Sequence, residues 1–194
     1  MRDKIADNRG LTLIEVIVTL LIASLVILAT TGFLIISTRT YQNSSIETSL
    51  QMEAQIALNQ IDDLLIKANS YVWVNDIMID GISYPVLGME ASEETEHGSK
   101  DYYYVVIHDT VHKQLRFRKE KKEDVSEGDF RQFLKRITEE ELTKTPSLLA
   151  SYVSSLNVSP TTDEKERLVV VSILLELDGK TFSSFSSISM RNKE

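Results

Sequence analysis

One carboxylate occupies a position where its charge has chemical consequences. Glu15 stands directly before a run of 21 residues, Val16 to Ile36, that contains no charged side chain. An ionisable group at the edge of such an apolar segment is costly unless it finds a partner, so Glu15 is a candidate for a paired charge. The alternative is that Glu15 needs no partner, because its carboxylate remains in the polar headgroup region of a membrane that the apolar run enters.

Other residue types that support catalysis or metal binding are sparse. The 194 residues include no cysteine, which excludes a disulfide scaffold, a thiolate zinc site, a cysteine nucleophile and the anchoring cysteine of a lipoprotein. His108 and His112 fall in a predicted hairpin, and the sequence places no third ligand beside them. The acidic segment 90–100 lacks EF-hand spacing and is expected to form an exposed loop. We therefore predict no metal, no cofactor and no enzymatic activity.

One cluster of basic residues could contact the phosphates of a nucleic acid. Three acidic residues in the same segment dilute it, and the formal net charge of -8 argues against binding through the overall field of the protein. A charged strand edge that deters aggregation explains the cluster as well. Its members are Arg116, Arg118, Lys119, Lys121 and Lys122.

The apolar run itself has the length of a transmembrane helix. At 1.5 Å per residue it spans roughly 30 Å, the thickness of the hydrocarbon core of a bilayer, and a buried core helix of a small domain rarely runs so long without a charge. Arg2, Lys4 and Arg9 precede the run, whereas Arg39 is the only basic residue after it until Lys67. The positive-inside rule therefore predicts a cytoplasmic N-terminus and an extracytoplasmic body.

The segment before the run, RGLTLIEV at residues 9–16, resembles the prepilin processing site of type IV pilins and pseudopilins. The resemblance implies that a prepilin peptidase cuts after Gly10 and methylates the new N-terminal amine of Leu11, where the family usually has Phe. It also implies that Glu15 pairs with the N-terminal amine of a neighbouring subunit inside a filament. Glycine suits the cleavage position because a residue without Cβ fits most easily where a peptidase cleft must hold extended backbone.

Gly32 lies where many major pilins carry a proline that locally unwinds the helix. Glycine weakens a helix by about 1 kcal/mol relative to alanine, against about 3 kcal/mol for proline. Gly32 is therefore a candidate helix hinge, and equally a small residue that allows close approach of another helix.

The helix is expected to continue beyond the membrane. One glycine and no proline occur between Leu11 and Gly81, and apolar residues recur after the run at steps of three and four. We predict one helix from about Leu11 to about Ala68, whose second half packs an apolar stripe on a globular domain. The stripe comprises Ile46, Leu50, Ala54, Ala57, Ile61, Leu64, Ala68 and Val72.

The remainder of the chain indicates an antiparallel sheet. Asp-Gly pairs at 80–81 and 178–179 separate β-rich segments and are typical of hairpins, as is the segment around 109–111. Residues 168–171 are all apolar, as in a strand buried on both faces. The predicted fold class is α+β, a long N-terminal helix packed on an antiparallel β-sheet head, the lollipop of pilins. The predicted boundaries are leader 1–10, transmembrane and filament-core helix 11–36, amphipathic continuation 37–70 and β-rich head 71–194.

These features predict a minor structural subunit of a type IV pilus or a pseudopilus, acting in assembly priming or at the tip. Residues 148–158 and 188–192 resemble minor pilins of the PilW kind and pseudopilins of the J kind. The expected partners are prepilin peptidase, other major and minor pilins or pseudopilins, and the cytoplasmic membrane, with the head outside and on a filament after assembly. The alternatives are a signal-anchored extracytoplasmic binding domain and a DNA-uptake (competence) minor pilin.

Overall fold

The computed structural model describes residues 12–95, 98–122, 130–143, 147–160 and 168–189. The chain divides into two compact units, Met1–Ser45 and Ile46–Glu194. The predicted α+β class is confirmed, with a long N-terminal helix and antiparallel sheets. The elements are α1 (Leu13–Lys67), β1 (Ala68–Ile79), β2 (Ile82–Thr95), β3 (Gly98–Asp109), β4 (Gln114–Lys121), α2 (Phe130–Thr143), β5 (Leu148–Ala150), β6 (Val153–Pro160), β7 (Leu168–Leu177) and β8 (Lys180–Ser189).

Helix α1 is unbroken over 55 residues because its sequence contains no proline and only Gly32 as a weak position. Its large apolar side chains between Leu13 and Ile36 are exposed. By length and composition it is long and apolar enough to cross a membrane. An exposed apolar surface of this extent is stable where lipid or other apolar helices cover it, and unstable in water.

The C-terminal part of α1 buries the predicted stripe in the second unit. Leu50, Ala54, Ala57 and Ile61 are fully buried, and Leu65, outside the predicted stripe, joins them. The prediction fails at Val72, which lies on β1 and is 43% exposed, because the helix ends at Lys67 and the chain turns directly into a strand.

The strands in the described residues form two antiparallel sheets, whereas one sheet was predicted from the sequence. The first sheet has the order β1-β2-β3-β4-β5 and the second β6-β7-β8, so each follows chain order. The two Asp-Gly turns are confirmed: φ is positive at Asp80, Gly81, Asp178 and Gly179, as a type I′ hairpin requires.

Two further predictions about the strands are wrong. Residues 90–95 and 98–100 belong to β2 and β3 and are not a loop, because cross-strand partners neutralise the acidic side chains and Ala91 turns inward to the core. Strand β7 is central, but only its inner residues Val169, Val171, Ile173 and Leu175 are buried. The residues that alternate with them on the other face of β7 are only half-buried.

The first sheet lies between the two helices. One face packs with α1 and the second sheet, through residues such as Val106, and the other face packs on α2 through Val105 and Ile107. Two-sided burial explains why successive residues of β3 are apolar. The α2 side is close-packed at Gly88, where an added Cβ would lie 2.9 Å from ring carbons of Phe130.

Candidate functional site

The N-terminus of α1 carries a reciprocal cap between Thr12 and Glu15. The backbone N–H of Thr12 donates to Oε2 of Glu15 at 2.8 Å, and the Thr12 hydroxyl donates to the same oxygen at 2.9 Å. The N–H of Glu15 lies 3.4 Å from the Thr12 hydroxyl oxygen. Both residues therefore help to satisfy backbone donors that a helix N-terminus leaves unpaired.

This cap engages the one carboxylate that the sequence analysis identified for pairing. Both Thr12 bonds end on Oε2, and a carboxylate has about four acceptor positions, so Glu15 retains capacity for a further cationic donor. The cap was not predicted from the sequence, although the Thr-x-x-Glu spacing is its signature. Gly10 and Leu11, the predicted processing residues, lie outside the described residues.

The apolar segment of α1 satisfies its own hydroxyl groups. The hydroxyls of Thr19, Ser24, Thr30, Thr31 and Thr38 donate to carbonyl oxygens three or four residues earlier, at 2.7–2.9 Å. Such internal bonds let polar side chains enter hydrocarbon without an external partner. The helix also passes through Gly32 without interruption, and a Cβ there would meet open space, so the hinge stays a prediction.

The predicted basic cluster is divided between the two faces of the first sheet. Side chains alternate along β4, so Arg116 and Arg118 point to the α2 side and Lys119 to the α1 side. Arg118 reaches Glu120, Glu140 and Glu141, and Lys119 pairs with Glu93 at 2.8 Å. Lys122 pairs with Glu90 and lies 3.9 Å from Asp101, whereas Lys121 is exposed.

Arg116 is a structural residue of the head. Its side chain is buried, and Nη2 donates to the fully buried carboxylate of Asp109 at 2.6 Å. Nη1 donates to the backbone carbonyl of Glu141, in the last turn of α2, at 2.9 Å. Burial would raise the pKa of Asp109, but hydrogen bonds from the backbone and ring of His112 and the charge of Arg116 together lower it. The pair anchors the end of α2 to the sheet.

The geometry of the cluster therefore gives no support to nucleic-acid contact. Four of its five members, all but Lys121, bond to carboxylates of the same head. A phosphate-binding surface needs cations whose charge is available to the ligand. The observed role is attachment of strands and of α2 to one another.

His108 lies on the opposite face of β3 from Asp109 and is buried. Its Nε2 lies 3.0 Å from the carbonyl oxygen of Val153, and its Nδ1 has no hydrogen-bond partner among the described residues. Burial lowers the pKa of His108 below its ordinary value, against weaker opposing effects of the Val153 carbonyl and the Asp109 charge. The head therefore contains a neutral imidazole that joins β3 to β6.

Acidification is expected to destabilise the head through His108. The unfolded chain takes up a proton near pH 6.5, whereas folded His108 has a lower pKa, so stability falls as the pH drops below about 6.5, by at most about 1.4 kcal/mol per pH unit. His108→Gln retains a donor for the Val153 carbonyl and does not titrate. Denaturant unfolding of both proteins between about pH 7 and 5 measures this. Equal slopes in the two proteins would contradict the assignment.

The remaining candidates do not assemble into a metal site. Among the described residues no group of three or more histidine, aspartate or glutamate side chains has the proximity for a metal ion. His112 bonds to Asp109 at 2.8 Å, while Glu93 bonds to Lys119 and to Tyr104. Glu96 lies outside the described residues.

The comparison with known families agrees with the N-terminal geometry. Residues 5–31 match the family described as the prokaryotic N-terminal methylation motif. No match was found among curated proteins or among solved structures. The matched segment contains Gly10, Leu11, the Thr12–Glu15 cap and residues 13–31 of α1, and it ends before the second unit begins at Ile46.

Proposed function

We propose that this chain, which carries the prepilin-type N-terminus of the type IV pilin family, is a minor structural subunit of a type IV pilus or a pseudopilus. The family is structural, and its motif implies processing by prepilin peptidase and assembly with other pilins. The observation that carries the proposal is the match at residues 5–31 together with a carboxylate that caps the start of an exposed, uncharged helix.

In this proposal the peptidase removes residues 1–10 and methylates the amine of Leu11. The basic leader keeps the N-terminus in the cytoplasm, and the head lies outside the membrane. Removal of the leader places the new amine one residue before Thr12 and so close to the cap. The resulting chain begins with an apolar helix that exposes its large side chains, which suits first a bilayer and then a bundle of similar apolar helices from other subunits.

On assembly, the carboxylate of Glu15 gains a new bonding partner, the N-terminal amine of a neighbouring subunit. In the single chain the Thr12 donors hold the carboxylate at the helix N-terminus. An ammonium group from an adjacent subunit gains a charge-assisted bond in surroundings without water, where such bonds are strongest. The pairing therefore fixes the axial position at which one subunit joins the next.

A minor role, in priming or at the tip, rests on the head. Eight strands in two sheets and a second helix make a head larger than a minimal subunit requires, and the resemblance of its C-terminal strands to minor subunits points the same way. A signal-anchored binding domain is the competing function, and it requires neither leader cleavage after Gly10 nor a charge at Glu15.

Leader cleavage gives the direct test of this proposal. Coexpression with an active prepilin peptidase is expected to yield a chain that begins at N-methylated Leu11, as measured by intact-mass spectrometry. Gly10→Ala is expected to leave the full-length chain in the membrane, since the added Cβ disturbs the extended backbone at the scissile bond. A wild-type chain that retains Met1 beside an active peptidase would overturn the proposal.

A further inference from the structure

The four strands at sheet edges differ in how they resist pairing with another chain. β5 is three residues long, β1 has two register irregularities and an Asp76–Arg131 ion pair, and β6 has one irregularity and ends at Pro160. These are devices that protect edges. β8 has one charged residue, Lys180 at its start, which pairs with Glu47. After it the strand has none of these devices: β8 pairs with β7 without interruption over ten residues, and Thr181 to Ser189 contain neither charge nor proline.

The turn before β8 determines which of its backbone groups face outward. Leu177 and Lys180 flank a two-residue turn, so they form a hydrogen-bonded pair and every second pair along the ladder does the same. The even-numbered residues of β8 therefore bond to β7. The N–H and C=O groups of the odd-numbered residues point to the open edge, where the described part of the chain supplies no strand. These residues are Thr181, Ser183, Phe185, Ser187 and Ser189.

The side chains of β8 are symmetric about Phe185. Phe182 and Ile188 stand three residues to either side, on the face that packs towards α1, and serine fills the four positions between them. Phe185 points to the outer face, where it is 73% exposed. When such a strand meets its own copy in antiparallel orientation about Phe185, Phe182 lies opposite Ile188, Ser183 opposite Ser187, and Phe185 opposite itself.

We propose that the open edge of β8 is a strand-addition site for the β8 of a second copy of this chain. The register centred on Phe185 joins odd-numbered residues to odd-numbered residues, so each outward N–H and C=O meets a partner. It keeps both α1-facing surfaces on the same side of the joined sheet and pairs aromatic with aromatic across the dyad. In a symmetric interface each residue type meets the same surface of the other copy. Because Thr181 to Ser189 carry no charge, this pairing places no like charges opposite one another.

The direction of α1 in the second unit decides how the two copies approach. Glu47 bonds to Lys180 at 2.7 Å and Asp62 bonds to Ser186 at 2.7 Å, so α1 and β8 run the same way. Fifteen residues of helix span about 22 Å and six residues of strand about 20 Å, so the two elements are nearly parallel. In the proposed pair, the α1 residues of the two heads from Glu47 onward therefore run in opposite directions on the same side of the joined sheet.

On the proposed function, which this step assumes, the head lies outside the membrane, where a second copy can reach the open edge of β8. Filament assembly uses Glu15 and the apolar part of α1, so the two interactions involve different parts of the chain.

Disulfide trapping tests the register, because the natural chain has no cysteine. In the full-length protein in detergent, Phe185→Cys places two Cα atoms about 5.5 Å apart across the dyad, within the reach of a disulfide. Ser183→Cys alone places its two copies four residues apart along the strands, about 13 Å. We expect mild oxidation to give dimers from Phe185→Cys, and from Ser183→Cys combined with Ser187→Cys, but not from Ser183→Cys alone.

Matched controls separate pairing from random collision. Asn157→Cys places a thiol at another exposed position, on the other edge of the same sheet. In the Phe185→Cys background, Ser187→Pro removes an outward N–H and leaves the β7 ladder intact, whereas Ser187→Ala retains it. Ser187→Pro is expected to reduce dimer yield about tenfold or more, since the dyad loses two hydrogen bonds. Equal trapping from Asn157→Cys, or full trapping with Ser187→Pro, overturns the proposal.

The proposed function and the β8 pairing can fail separately. Failure of leader cleavage would refute the proposed function and leave trapping unchanged, whereas a processed chain without trapping would refute the β8 pairing alone.

Discussion

Glu15→Ala is expected to remove the chain from filaments, lowering its recovery in sheared filaments by on the order of 100-fold. In the proposed pairing of Glu15 with the N-terminal amine of a neighbouring subunit, loss of the carboxylate costs about 3–5 kcal/mol, because the amine is left buried and unpaired. The amount of chain in the filament and membrane fractions, measured by immunoblot, gives the result. The total amount in the cell is expected to stay constant, since Glu15 is far along the chain from the buried core.

Two further variants separate the charge of Glu15 from its role as a helix cap. Glu15→Gln keeps an oxygen that can accept the Thr12 bonds but removes the charge, so it is expected to behave like Glu15→Ala. Thr12→Ala removes the hydroxyl of the cap and keeps the charge, at a cost of about 1 kcal/mol in helix stability, so filaments still incorporate it. Normal incorporation of Glu15→Gln would favour the signal-anchored alternative.

Asp109→Ala is expected to destabilise the head by about 3–5 kcal/mol, because it leaves Arg116 buried without its carboxylate partner. Denaturant unfolding followed by the fluorescence of Trp73, the one tryptophan in the chain, measures the loss. Asp76→Ala is the matched control, because Asp76 pairs with Arg131 on the surface, where such a bond contributes at most about 1 kcal/mol. Equal losses in the two variants would show that the buried pair does not stabilise the head.

The burial of Arg116 also determines which variants of the basic cluster can test nucleic-acid binding. Neutralising Arg116 breaks the anchor between β4 and the end of α2, so reduced nucleic-acid binding by that variant would report unfolding. Lys121, which is exposed, is the position where a loss of charge reports on binding alone.

The sequence predicted the elements whose signals are local. The absence of proline predicted one long α1. The recurrence of apolar residues at steps of three and four predicted the buried stripe that includes Leu50 and Ile61. The two Asp-Gly pairs predicted the positions of two hairpin turns. Strand alternation was overlooked in the basic cluster, which therefore looked like one patch when β4 divides it between two faces.

Features set by distant contacts could not be derived in this way. The separation of the strands into two sheets depends on how β6 to β8 pack on α1, and the strand at residues 90–95 depends on partners in β3 and β4 for its acidic side chains. The buried positions of Arg116 and Asp109 likewise depend on α2. By contrast, the Thr12–Glu15 cap was within reach of the sequence, because its spacing alone predicts it.

If this chain is a processed filament subunit, as we propose, its mature N-terminus must be present in filaments. Mass spectrometry of the N-terminal peptide, recovered from filaments sheared off cells that express the chain, measures this. We expect a peptide that starts at N-methylated Leu11 in the filament fraction. Absence of the chain from that fraction, or a peptide there that starts at Met1, would refute the proposed function.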